Sequence, residues 1–190
     1  GNQNSAFGHA SLNANTTGTY NTASGYRALV ANTTGVQNTG VGNKALQANT
    51  TANYNTAVGA CTLFANTTGA RNTGVGYLAL VSNTCGECNI AIGASSLQNN
   101  TTGSNNVAVG VNALDANTTA GNNTAIGQDC MKTCTTGAGN TAVGSYVLDA
   151  NTTGANNVAI GLNSMTTNTT ASENTAVGKD SLGANSVGYK

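Results

Sequence analysis

Apolar residues return along this chain at an unusual spacing: a Val or Ile, five residues later a Leu or Met, then twelve residues before the next Val or Ile. The period is seventeen, written N-T-A-V-G-x-x-A-L-x-A-N-T-T-G-x-x, and eleven copies run from Asn4 to Lys190 without insertion or deletion. They begin at Asn4, Asn21, Asn38, Asn55, Asn72, Asn89, Asn106, Asn123, Asn140, Asn157 and Asn174, so residues 1–190 read as a single repetitive domain. A period held this strictly marks a solenoid, in which each repeat buries its apolar face only by stacking on its neighbours.

With the positions of the repeat numbered as columns one to seventeen, column one is Asn and column five is Gly in every copy. A Gly closing a short apolar stretch suits positive φ or a close approach of backbones, which predicts a corner at column five. Column four is Val or Ile in nine copies, with Phe7 and Ser24 as the exceptions, and column nine is Leu or Met throughout. β-branched residues ahead of the Gly, in a segment too short for an independent helix, favour strand. Columns one to five and eight to eleven are therefore expected to form two short strands per coil, with columns four and nine inside and columns seven and ten outside. The fold class is all-β: a parallel β-solenoid, or β-roll, of eleven coils, forming a rod roughly 50 Å long at the usual strand spacing.

Side chains alternate across a strand, so columns two and four share a face and column three points the other way. Column three is always Ala or Gly; column two is mostly Thr, replaced by Ile90, Val107 and Val158. Neither face reads as freely solvated. One can fill the coil, and the other then needs a partner, for which a second copy of the chain is the simplest candidate. Columns eleven to fifteen, A-N-T-T-G, carry turn-forming residues and predict a second corner. Stacking of identical coils would also set the Asn of columns one and twelve into amide ladders. The variable columns six, seven, ten, sixteen and seventeen hold most charges and aromatics, including Arg27, Lys44, Asp115, Asp149, Glu173, Tyr20, Tyr26, Tyr54 and Tyr77, and are expected to face solvent or a ligand.

Composition narrows the function. Only 6% of residues are charged and the two signs cancel, against about a quarter in ordinary domains, so nothing attracts nucleic acid. No apolar run approaches the roughly 20 residues of a membrane helix, and no signal peptide opens the chain, so membrane insertion is not expected. His9 is the single histidine, which excludes an imidazole metal cluster. The acids Glu87, Asp115, Asp129, Asp149, Glu173 and Asp180 lie on different coils, with no close carboxylate pair evident from their spacing. The glycines recur as corners and never open a helix after a strand, as a phosphate-cradling loop would require. Neither catalysis, a cofactor nor a metal is expected.

Asn156-Asn157-Val158-Ala159-Ile160-Gly161 and Asn89-Ile90-Ala91-Ile92-Gly93 resemble the N-x-V-A-I-G strand of the head repeats in YadA-type trimeric autotransporter adhesins. Similar N-T-A-V-G-x-x-A-L phrases occur in phage tail-fibre-like proteins. The period is longer here, through the extended A-N-T-T-G corner. The resemblance implies a parallel β-roll, three chains about one axis, displayed extracellularly on a cell or virion surface and used to attach to an unknown receptor. The expected function is thus a structural or adhesive fibre or filament subunit. The alternative is an ice-binding solenoid using Thr and Asn ladders, with the Thr of columns thirteen and fourteen as its rows.

Cys85 and Cys88 form a C-x-x-C that reads as a local disulfide in a variant corner, a free pair or a metal site. Cys130 and Cys134 are candidates for a bridge across the second strand or its bend, although an extended strand would hold them too far apart. Cys61 is left over, free or reaching another chain. The N-T-T corner supplies candidate glycan acceptors at Asn15, Asn32, Asn49, Asn66, Asn100, Asn117, Asn151 and Asn168. Neither end carries a capping helix or charged terminal coil, which predicts end-to-end joining in a filament or membership of a longer fibre.

Overall fold

The computed structural model describes residues 1–183; residues 184–190, which complete the eleventh coil, lie outside the described residues. Each coil contributes one strand of three residues from columns two to four: β1 (Ser5–Phe7), β2 (Thr22–Ser24), β3 (Thr39–Val41), β4 (Thr56–Val58), β5 (Thr73–Val75), β6 (Ile90–Ile92), β7 (Val107–Val109), β8 (Thr124–Ile126), β9 (Thr141–Val143), β10 (Val158–Ile160) and β11 (Thr175–Val177). All eleven pair in parallel, in chain order, as one sheet. The register advances by one repeat per strand, so Ala108 pairs with Ala91 on one side and Ala125 on the other. There is no helix among the described residues. Hydrogen bonds tie the coils along the axis, as where Thr22 N donates to Asn38 O and Gly25 N donates to Phe7 O, both at 2.8 Å.

The column-five corner is where the spacing places it. Gly8 to Gly178 adopt φ between 121° and 140°, a region that an L side chain rarely enters. A Cβ at Gly93 would also lie 2.5 Å from the Gly110 carbonyl oxygen, so the corner needs glycine for its dihedral and for the approach of the next coil.

The expected second strand does not form. Columns eight to eleven are a turn, because the chain is left-handed at column seven (φ 51–59°) and again at column nine (φ 48–54°). A strand requires φ near −120°. Leucine has no preference for the left-handed region, which costs roughly 1–2 kcal/mol per residue. It persists because Leu29 N donates to Ala45 O on the next coil and Leu46 N to Thr62 O, both at 3.0 Å, and the step repeats along the column.

Column nine is core as expected, with Leu29 to Met165 fully buried. Column four is not. The alternation holds, but its sense is the reverse of the expected one: Ala108, Ala125 and Ala142 of column three point inward at 0% exposure, while Ile92, Ile126 and Ile160 of column four are 39–41% exposed. The reason is the width of the coil. The column-nine leucines, the small residues of column three, the mostly small ones of column eight and two rows of asparagine already fill the interior. Where column eight carries the larger Thr62, the facing column-three residue is Gly74, whose Cβ would stand 2.6 Å from Thr62 Cγ2. Columns seven and ten are mostly half-buried rather than outside.

Both predicted amide ladders are present and lie inside. In column twelve, Asn100 Nδ2 donates to Asn83 Oδ1 at 2.8 Å, and the same bond links each of Asn15 to Asn117 to its neighbour. In column one the next backbone N–H reads the same oxygen, as where Asn38 N donates to Asn21 Oδ1 at 2.9 Å. The two rows converge on one carbonyl: Gly35 O accepts Asn21 Nδ2 at 2.7 Å and Asn32 Nδ2 at 3.1 Å, using both of its lone pairs.

The column-twelve row breaks at Cys134. Its Sγ donates to Gly137 O at 3.3 Å, and Asn117 Oδ1 is left buried without a partner. Cys134→Asn is expected to close the gap by donating to Asn117 Oδ1 and accepting from Asn151 Nδ2. Satisfying a buried polar atom contributes about 1–3 kcal/mol. The check is a rise in Tm or in the denaturant midpoint.

Candidate functional site

The reversal of column four creates a continuous feature along the surface. Columns two and four of β1–β11 project from one face of the sheet, Thr beside Val or Ile, with the aliphatic row exposed from Val41 through Val177 at every coil except the half-buried Val109 and Val143. No residue in columns one to five is charged. The rows repeat at about 4.8 Å along the axis and stand about 7 Å apart across it.

Two exposed columns border this face. Column six follows each strand and carries His9, Tyr26 and Tyr77; column seventeen precedes it and carries Tyr20, Tyr54 and Arg71. His9 stacks on Tyr26 with ring centroids 5.6 Å apart and planes at 15°. The Arg71 guanidinium lies over the Tyr54 ring at 5.9 Å.

A charged cluster sits away from the face. Lys132 Nζ is 3.1 Å from Asp129 Oδ1, which also accepts Asn112 Nδ2 at 2.9 Å. Asp115, Lys132 and Asp149 occupy column ten of three successive coils. Spacing along the chain did not show this grouping; the signal was their shared column, seventeen residues apart. The Asn112 hydrogen bond holds the Asp129 carboxyl below its ordinary range. Burial pushes Asp115 and Asp149 upward, with Lys132 pulling the other way. No group of three or more metal-ligating side chains is assembled among the described residues.

A carboxyl whose folded pKa is raised destabilises the fold when ionised, and that penalty is gone below the unfolded pKa. Asp149→Asn is therefore expected to raise Tm at neutral pH, with the gain shrinking as pH falls toward the ordinary value of 3.8. A gain that widens in acid would contradict the assignment.

All five cysteines are free thiols, so the structure contains neither candidate bridge. Cys85 and Cys88 are exposed in the corner and Cys61 is half-buried. Cys130 and Cys134 are buried, each with its Sγ turned to a carbonyl, of Ala142 at 3.4 Å and Gly137 at 3.3 Å respectively. Burial pushes their thiols up to about 12 and about 11, far from the thiolate that nucleophilic or redox chemistry uses.

The candidate glycan acceptors are the column-twelve row. Asn32, Asn49, Asn66, Asn100, Asn117, Asn151 and Asn168 are fully buried, and Asn15 is half-buried. The Nδ2 that would carry a sugar instead donates hydrogen bonds, as from Asn66 to Asn49 Oδ1 at 3.1 Å and to Gly69 O at 2.9 Å. The folded coil does not present these nitrogens, so attachment would have to precede folding. The column-thirteen hydroxyls are also engaged: from Thr16 to Thr152 each donates to the carbonyl of the equivalent Thr on the next coil, at 3.0–3.3 Å. The outward Thr of the sheet face is in column two instead.

No family model, curated protein or solved structure matches this chain. Among the described residues, no helix is long and apolar enough to cross a membrane.

Proposed function

We propose that this β-solenoid is a structural or adhesive fibre subunit that works outside the cell, on a cell or virion surface, as a parallel homotrimer with no catalytic role. One observation carries the reading: the uncharged face of columns two and four that runs along the sheet, with Val or Ile in column four of nine of its eleven strands. Soluble monomers rarely leave a continuous apolar patch of more than a few hundred Å² exposed. A partner built from the same coils matches the repeat of this face at every level, which an unrelated surface would do at few. Ring closure about the long axis buries the three aliphatic rows together and leaves the A-N-T-T-G corner outward for attachment.

Hydroxyl-radical footprinting of the native protein tests this. Ile92, Ile126 and Ile160 should oxidise several-fold more slowly than their exposure in a single chain implies, while Val81 and Phe64, away from the face, react as their exposure predicts. A flat face with a regular Thr row is also what an ice-binding surface offers. Rapid oxidation of the three isoleucines, together with thermal hysteresis and faceted ice crystals, would assign the face to ice and overturn the fibre reading.

A further inference from the structure

Column seventeen precedes every strand and column six follows it, and both are exposed or half-buried along the rod. Within one chain they are held apart, because they flank opposite ends of the strand and columns one to five between them span up to about 13 Å. In a parallel ring of three, the strands at one level run head to tail about the axis. The contact between neighbours is then heterologous, and column six of one chain meets column seventeen of the next.

The residues brought opposite one another in this way are complementary. Glu173 precedes β11 and Lys179 follows it; Arg71 precedes β5 and Tyr77 follows it; Asn122 precedes β8 and Gln128 follows it. These are an ion pair, a cation on an aromatic ring and a pair of amides, and no level sets like charge against like charge. On their own chain Lys179 meets only the exposed Asp180, at 3.6 Å among the described residues, and Arg71 the exposed Tyr54. We propose that columns six and seventeen form a seam between neighbouring chains of the ring, in which Glu173 pairs with Lys179 of the next chain and Arg71 packs on Tyr77 of the next chain. The seam rests on the trimer reading and adds to it which edges meet and in what register. Its polar, level-specific pairs would hold the three chains from slipping by one coil, which the uniform aliphatic face alone would permit.

The test is the double variant Asn122→Cys, Gln128→Cys with Cys61, Cys85 and Cys88 replaced by Ser. Disulfide partners need Cα atoms within about 7 Å, so the two new thiols cannot bridge within a chain. Mild oxidation should convert most of the protein to a covalent trimer on a denaturing gel, and each single Cys variant should stay monomeric on it. If the double variant sediments as a trimer yet remains uncrosslinked, or either single variant yields covalent dimers, the seam is wrong and the trimer stands. If it sediments as a single chain, both fall. Independently, Glu173→Lys or Lys179→Glu should each weaken assembly about tenfold, and combining them should restore it to within about twofold. Losses that simply add would overturn the pairing.

Discussion

Asn83→Ala is expected to destabilise the solenoid by about 2–5 kcal/mol, far more than the loss of one surface amide. Asn83 Nδ2 donates to Asn66 Oδ1 at 2.9 Å and to Gly86 O at 3.0 Å, and its Oδ1 accepts from Asn100 at 2.8 Å. All of this is buried. Truncation strands polar atoms on both neighbouring coils, and each stranded atom costs about 1–3 kcal/mol. The damage should be local to the coil and yet lower the stability of the whole, because each repeat is supported only by its neighbours. Chemical denaturation measures the loss, and hydrogen exchange should show it centred on the fifth coil and its two neighbours. A change within about 0.5 kcal/mol would mean that the ladders do not hold the coils together.

The second large effect separates the two sides of one strand. Ala125 and Ile126 are neighbours in β8, but Ala125 is wholly inside and Ile126 is 40% exposed. Ala125→Asp is expected to unfold the central coils, since an unpaired carboxylate would enter the dry interior. Ile126→Asp should leave the coil folded and separate the chains, placing three carboxylates close together about the ring axis. We expect assembly to weaken at least 100-fold, equivalent to about 3 kcal/mol, and to recover as the pH is lowered and the carboxylates are protonated. Thr119→Asp, in the exposed corner, is the control and should change neither property. Circular dichroism reads the fold and sedimentation reads the assembly. An Ile126→Asp chain that stays assembled at neutral pH would remove the face from the interface.

The features legible in the sequence are those for which the period and the chemistry of one residue type agree. Gly93 and its equivalents announce a corner because only glycine suits that dihedral, Leu114 announces a core, and the Asn rows announce ladders because identical amides stack. The side of the strand facing inward was not legible. Alternation separates Ala108 from Val109, but hydrophobicity alone sends valine inside, whereas the interior at column three is too narrow for it. The missing second strand has a related cause: nothing in a leucine side chain signals φ near +50°, which is imposed by hydrogen bonds from the neighbouring coil. The grouping of Asp115 and Asp149 around Lys132 becomes visible only when positions are compared by column rather than along the chain.

Sedimentation equilibrium of the unmodified native protein tests the central claim most directly. A soluble species of three times the 18.7 kDa chain mass, persisting on dilution, is the predicted result. A single 18.7 kDa chain at all accessible concentrations would contradict it, leaving the Val and Ile face of the solenoid uncovered by its own kind.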